Sequence, residues 1–483
     1  MRVLLVLPAA LVLTVTSTAR ELYLSGENRL EYWRWKGSQD EFFEDKLDLE
    51  AIYGDLLAGL RYYLFQSSQV NDSKRREGIS RMFLEWQRDP FQIRAGNYYS
   101  VFGRGLVLAA YEDDEVKLDQ DLKGFKGSVS LPKFDLTILS GRPRNTFNYG
   151  TINDTTDLIR GADLNVRPIS FASLGIGWVR FNQLDRMPPP PDTSRRTELY
   201  GGRGEFVWNW FNLYGEYAKK EGWDRLLFAD GKGEGYYLSS SLSFSGLGLS
   251  LEYSDYDSLA YGGFNYRYNN PPCPNRYGKA INNGVDEKGY QVAANMTPWA
   301  PLLTGASYAE LKTHDDTSHA IREAYGECKF ESFEIGAVKL SVDHLKETLN
   351  GLIFAEKATT TPLLESYCHI TWRHTIGCSY RHRTISDSTQ IGKDEWQERR
   401  VVLSYSYAPH MTLSLTGEDT GKEPGPGEDT SWRSATLELK LGESHDISLT
   451  VGSQKGEDLI CSGGVCRRDP PFKGWKITVS SRF

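Results

Sequence analysis

Trp475-Lys-Ile-Thr-Val-Ser-Ser-Arg-Phe483 ends the chain, with Trp475, Ile477 and Val479 on one face and Lys476, Thr478, Ser480 and Arg482 on the other. Strict alternation of apolar and polar side chains is the signature of a β-strand with one apolar and one polar face. Moving inward from the terminus, Ile447-Ser-Leu-Thr-Val451, Ala435-Thr-Leu-Glu-Leu-Lys-Leu441 and Met411-Thr-Leu-Ser-Leu-Thr416 repeat the pattern. Lys46–Tyr53, Phe134–Ser140, Leu247–Ser254 and Val401–Tyr407 carry it into the rest of the chain. Helical spacing is absent over any long window.

The links between these stretches sort by length. Short turns are expected at Gly54-Asp55, Asp89-Pro90, Pro132-Lys133, Asn209-Trp210, Gly246, Pro298 to Pro301, Ser332, Thr375 to Gly377, Pro409-His410 and Gly442 to Ser444. Between them lie long polar or Pro/Gly-rich links at 67–77, 101–120, 141–156, 184–196, 222–233, 257–286, 346–362, 387–394, 418–429 and 457–471. Alternating short and long links are expected of an outer-membrane barrel, with tight periplasmic turns and longer extracellular loops. The expectation is an all-β chain, a single transmembrane antiparallel β-barrel of about 24 strands (about 22–26) over residues 20–483. A terminal aromatic on such a strand resembles the signal read by the bacterial barrel-assembly machinery, so Phe483 implies that partner besides outer-membrane lipid.

Composition agrees. Twenty-seven Tyr, 12 Trp and 46 Gly with a mean hydropathy of −0.48 are too polar for a helical membrane protein. They suit a wall that shows lipid only every second residue. Met1-Arg2, the apolar run Val3 to Val15 and the small residues Ser17-Thr18-Ala19 read as a secretory signal peptide, residues 1–19, cleaved near Ala19. The formal charge of −8 argues against nucleic acid as a partner. Of six cysteines, Cys461 and Cys466 bracket a Ser-Gly-Gly-Val turn and are disulfide candidates in an oxidising compartment. Cys328, Cys368 and Cys378 fall at positions read as lipid-facing. Neither G-x-S-x-G, H-E-x-x-H nor a P-loop occurs, so catalytic, cofactor and metal residues are not expected.

Projecting the strands places charges of both signs on the inner face: Arg203, Glu205, Glu327, Lys329, Glu331, Glu365, Arg373, Arg381, Arg383, Glu438, Lys440, Lys476 and Arg482. A dry sandwich core could not hide so many, whereas a water-filled or ion-paired lumen can. Aromatics beside turns and loops (Tyr32-Trp33-Trp35, Tyr98-Tyr99, Trp208, Trp210-Phe211, Trp299, Trp372, Trp396, Trp432, Trp475) are expected to form membrane-interface girdles.

A barrel this wide would leak if empty, since about 16–18 strands already enclose a channel. Strand pattern begins near Arg20, so the obstruction is expected from inward-folded loops, 101–120 and 257–286 being the longest. The segment Arg94-Ala-Gly-Asn-Tyr-Tyr-Ser-Val-Phe-Gly-Arg-Gly-Leu106, with Tyr111-Glu-Asp-Asp-Glu-Val116 and Leu118 to Gly127 behind it, stands out. Its G-N-x-Y-x-x-F-G-x-G-L pattern resembles a motif of uncharacterised, porin-like outer-membrane barrels of Bacteroidetes-like bacteria. It departs from them at Ala109-Ala110, where relatives often carry Arg. The resemblance implies an outer-membrane barrel and no activity. Arg104, Glu112, Asp113, Asp114, Glu115, Asp119 and Asp121 are the candidates for a pore constriction or selectivity site. Their carboxylates could set selectivity, hold calcium, or pair with lumen Arg and Lys, the last being favoured. The function expected is passive or selective passage of small solutes; the alternative is an occluded barrel serving as surface receptor or scaffold.

Overall fold

The computed structural model describes residues 22–483 except 36–40, 68–75, 148–152, 155–156, 183–195, 223–230, 264–265, 283, 316–317, 333, 351–353, 391, 426–428, 457–458, 463–464 and 469–470. The signal-peptide expectation for residues 1–19 therefore lies outside the described residues. Among the described residues the main sheet has 26 strands, of which Glu112–Asp113 and Asn153–Asp154 are two-residue additions. The other 24 form a closed antiparallel wall. They range from eight residues (Phe91–Tyr98) to sixteen (His374–Thr389), against the roughly 9–11 that a tilted strand needs to span a bilayer.

Closure joins the first strand, Leu22–Trp35, to the last, Phe472–Arg482, with Leu30 opposite Val479. The terminal residue completes the seam: Gly26 N–H donates to the Phe483 carbonyl at 2.8 Å, and Phe483 N–H returns a bond of 3.0 Å. The Phe483 ring lies over Gly26, where a Cβ would come within 2.5 Å of it. The final alternating stretch is thus the edge that abolishes the open edges of the sheet.

The turns at 54–55, 89–90, 132–133, 209–210 and 245–246 fall where the sequence puts them. A further short turn at Ser170-Phe171 joins Leu158–Ile169 to Ala172–Asn182, which the sequence reading does not separate. The turn expected at Thr375 to Gly377 lies instead at 370–373, because Thr375 to Gly377 pair with His369 to Tyr367 as strand. Arg373 is consequently a turn residue beside the Trp372 ring (4.1 Å) and not a lumen charge. Cys461 and Cys466 are direct partners in a small hairpin, Leu459–Ser462 with Val465–Arg468; their side chains lie outside the described residues.

The outward face is the apolar one. Leu413, Leu415, Leu441, Leu449, Val338, Leu340 and Ile376 are all exposed there, as are Cys328 and Cys368. Trp208, Trp210, Trp299 and Trp372 are exposed at the turn end, and an outward row including Tyr200, Tyr236, Tyr253, Tyr290 and Tyr308 lies toward the loop end. Tyr and Trp at two levels are the girdles expected of a membrane barrel. Five aromatics depart from the expectation. Trp33 is buried and stacks on Phe42 at 4.8 Å, Trp396 and Trp432 line an internal cavity, and Tyr98 and Tyr99 point inside. Parity on the strand, not proximity to a loop, turns Trp33, Trp396, Trp432 and Tyr98 inward, and Tyr99 follows because the strand ends at Tyr98 and the chain leaves the wall there.

Candidate functional site

The two longest connections fold into the barrel and bind each other. The first carries a short hairpin, Ser100–Phe102 with Leu108–Ala110. Its tip, Gly103-Arg104-Gly105, has positive φ at both glycines (57° and 93°), a conformation that costs Gly little. The second, residues 258–285, grips the hairpin through its backbone. Tyr261 Oη donates to Val107 O (3.0 Å) and Asn269 Nδ2 to Leu106 O (3.0 Å). Ala109 N–H donates to Tyr268 O (2.8 Å) and Asn270 N–H to Gly105 O (3.0 Å). These bonds satisfy polar groups that would otherwise be orphaned inside the barrel.

The plug so formed packs its apolar side against one part of the wall. Phe102, Leu106, Val107 and Leu108 meet Ile159, Val179, Phe181, Leu199 and Ala218, inward-facing residues of consecutive strands. Full burial of each such side chain contributes about 1.5–3 kcal/mol. Inward wall glycines make the seats: a Cβ on Gly201 would lie 2.4 Å from Val107, and one on Gly161 3.1 Å from Phe102. Ala109 and Ala110 are buried in the same interface, which leaves no room there for a side chain as long as Arg.

Beyond the hairpin the chain is latched electrostatically. Arg61 and Arg81 are direct cross-strand partners, both pointing inward, an arrangement that is unfavourable alone. Glu112 sits between them, 2.5 Å from Arg61 and 2.9 Å from Arg81. Asp119 is 3.2 Å from Arg81, Asp114 2.9 Å from Lys46, and Asp121 3.8 Å from Arg144. Tyr99 Oη donates to Asp119 at 2.7 Å. Asp113 instead caps its own turn, accepting from Glu115 N–H (2.9 Å) and Val116 N–H (3.3 Å), while Glu115 is exposed. Burial alone would raise the Glu112 carboxyl, but Arg61, Arg81 and Lys46 outweigh it and hold it far below the usual range. Burial likewise opposes, and Lys46 overrides, at Asp114, which is also lowered.

A pH dependence follows. A carboxylate whose folded pKa lies below its unfolded value (about 4.3 for Glu) stabilises the fold above that value and loses the contribution as pH falls through the folded pKa. The Glu112 and Asp114 contacts of the latch should therefore stay closed from neutrality down to about pH 4 and open only in stronger acid. Hydrogen exchange at Gln120, whose N–H donates to Tyr111 O at 2.9 Å, checks this. Acceleration already between about pH 7 and 5 would contradict it.

The rest of the lumen is different. A cavity of about 1170 Å³ toward the loop end is lined by strands from His319–Ser332 round to Phe472–Arg482 and by the strap Arg276 to Lys279. The strap ties the plug to the opposite wall: the Arg276 guanidinium lies 3.2 Å over the Tyr325 ring and 3.6 Å from Glu323, while Lys279 pairs with Glu347. Arg381 lines this cavity, 3.3 Å from Glu418. Closer to the turns lie Lys329 paired with Glu331 (2.6 Å), and Lys339 between Glu365 (3.2 Å) and Glu327 (3.6 Å). Lys476 meets Glu31 at 2.9 Å and Arg482 meets Glu27 at 3.8 Å. Glu438 and Lys440 are exposed and share strand parity with Trp432, hence the lumen face. On the plugged side Arg203 is bidentate with Asp163, at 2.6 and 2.8 Å, and Glu205 and Arg104 border a smaller turn-side pocket.

The latch cations Lys46, Arg61, Arg81 and Arg144, and the plug residues Tyr268 to Asn270, escape the sequence reading. Inward parity of Arg61 and Arg81 is the signal that could have shown the cations; nothing local marks Tyr268 to Asn270.

Fold and site together define a large closed β-barrel, filled on one side by two of its own connections. The chain belongs to a family of unknown function, DUF6029, whose model matches residues 33–275. That stretch holds the latch cations, the hairpin and the second connection as far as Asn275. No curated protein matches the chain. Among solved structures it is similar to the P pilus usher (PapC) translocation pore, at 9% identity and TM-score 0.47, covering 95% of this chain and 99% of that one. It is also similar to Pseudomonas aeruginosa OpdK with vanillate (13%, TM-score 0.44, 68% and 94% covered). A BenF-like porin from Pseudomonas fluorescens Pf-5 gives 10% identity and TM-score 0.44, with 72% and 98% covered.

Proposed function

We propose that this protein is a porin-like channel of the bacterial outer membrane, not an enzyme. Small polar solutes pass along the unplugged side of the lumen. The observation that carries the reading is the contrast between the two sides. Inward residues under the plug, such as Leu199, Val179 and Ala218, have no exposure at all. Inward charges on the other side keep theirs down to the turn end: 45% for Glu365, 33% for Lys329 and 41% for Lys476. Ion-paired but wet charges of both signs suit an aqueous path.

In this reading the turns face the periplasm and the loops the exterior, residues 1–19 are removed on export, and the strand ending at Phe483 engages the assembly machinery. Cys461 and Cys466 pair as a disulfide, as their register would allow. Purified protein in a planar bilayer should give stable open steps without added ligand. Silence from a demonstrably folded barrel would exclude conduction and leave a receptor or scaffold.

A further inference from the structure

Beneath the plug, at the turn end, is a pocket of about 340 Å³ that the channel reading does not use. Its size falls at the lower end of small-ligand sites, about 300–1,000 Å³. Five charged residues line it: Arg104, Asp135, Asp163, Arg203 and Glu205. Asp163 is bidentate with Arg203 (2.6 and 2.8 Å), and Asp135 is held by Arg167 (3.1 Å from Nη2). Among the described residues, Arg104 and Glu205 are left without an ion-pair partner, one cation and one anion in a single pocket.

Arg104 is placed there by construction. It occupies the hairpin tip between two positive-φ glycines. Its N–H donates to Glu216 Oε2 at 2.7 Å, and the same oxygen takes the Tyr214 hydroxyl at 2.5 Å. Its guanidinium lies 5.0 Å over the Tyr214 ring and remains exposed. Asn165 and Ser173 add neutral hydrogen-bonding groups. A cation and a carboxylate that line one small polar pocket and have no ion-pair partner among the described residues match a ligand that carries both charges.

We propose that this pocket binds a small zwitterion of amino-acid to dipeptide size, its carboxylate on Arg104 and its ammonium group on Glu205. The site stands whether or not the barrel conducts, because it is read by equilibrium binding.

The test is calorimetric titration of detergent-solubilised full-length protein with dialanine, its N-acetyl form and its C-terminal amide. Dialanine should bind, and capping either end should weaken binding about tenfold or more, as expected for loss of one charge-assisted contact. Glu205→Gln should weaken dialanine but leave the N-acetyl form unchanged; Arg104→Ala should weaken dialanine but leave the amide unchanged. Because capping removes each charge from the ligand of the unaltered protein, a misfolded variant does not rescue the idea. No binding of dialanine, or equal binding of all three compounds, overturns it.

Discussion

Excising Ser100–Ala110 and bridging Tyr99 to Tyr111 with a short glycine linker should leave the barrel assembled and raise its single-channel conductance about twofold or more. The junction is short because Ser100 and Ala110 are cross-strand partners. The wall does not depend on the hairpin for its hydrogen bonds, since each wall strand is paired on both sides by other wall strands. What is lost is filling. Phe102, Leu106, Val107 and Leu108 leave the side lined by Ile159, Val179 and Leu199, and the second connection loses the four backbone partners it holds on Leu106, Val107, Gly105 and Ala109. The exposed wall patch lowers folding yield without blocking water. Unchanged conductance in planar bilayers, from protein that still migrates as a folded barrel, would show that this hairpin obstructs nothing.

Replacing Arg81 by alanine should release the segment behind the hairpin while the barrel stays folded. Arg81 keeps 14% side-chain exposure and touches Glu112 (2.9 Å), Asp119 (3.2 Å) and Tyr99. Removing one partner of a buried ion pair costs about 3–5 kcal/mol, and Arg61 still shares Glu112, so about 2–3 kcal/mol is expected here. Local opening around Gln120 should then become about 30- to 150-fold more frequent, read as faster hydrogen exchange. Arg81→Lys should recover only part of the loss, because an ammonium group cannot reproduce the planar fork. Pairing Arg61→Met with Glu112→Gln should be less than additive, as the two share one contact. Protection at Gln120 unchanged in Arg81→Ala would mean that the hairpin alone seats the segment.

Much of this molecule is legible in the chain itself. Alternation is a local property, so Met411 to Thr416 or Ala435 to Leu441 declare strand and face without reference to anything distant. Link length is also local, and it brings the wall to its 24 strands even though the Ser170-Phe171 turn goes unread and the turn after His369 is shifted. The two long connections stand out by length alone as the lumen's obstruction, and they are the ones that fold inward. The acidic run from Glu112 to Asp121 is visible as well, whereas the cations that receive it, Lys46, Arg61, Arg81 and Arg144, are not among the inner-face charges read from the sequence.

Where those connections go was decided by tertiary structure. Val107 finds its seat at Gly201, Asn269 reaches Leu106, and Glu112 settles between Arg61 and Arg81, contacts that span from tens of residues to more than a hundred. None leaves a periodic trace, because a side chain inside a wide barrel is selected by the shape and charge of whichever wall lies opposite. For the same reason Trp33, Trp396 and Trp432 look like girdle residues from their place beside loops, yet face inward. The chain by itself determines a wall and its two faces, since every second residue must meet lipid. Which side of the lumen is sealed and which stays wet was settled only when distant segments met inside it.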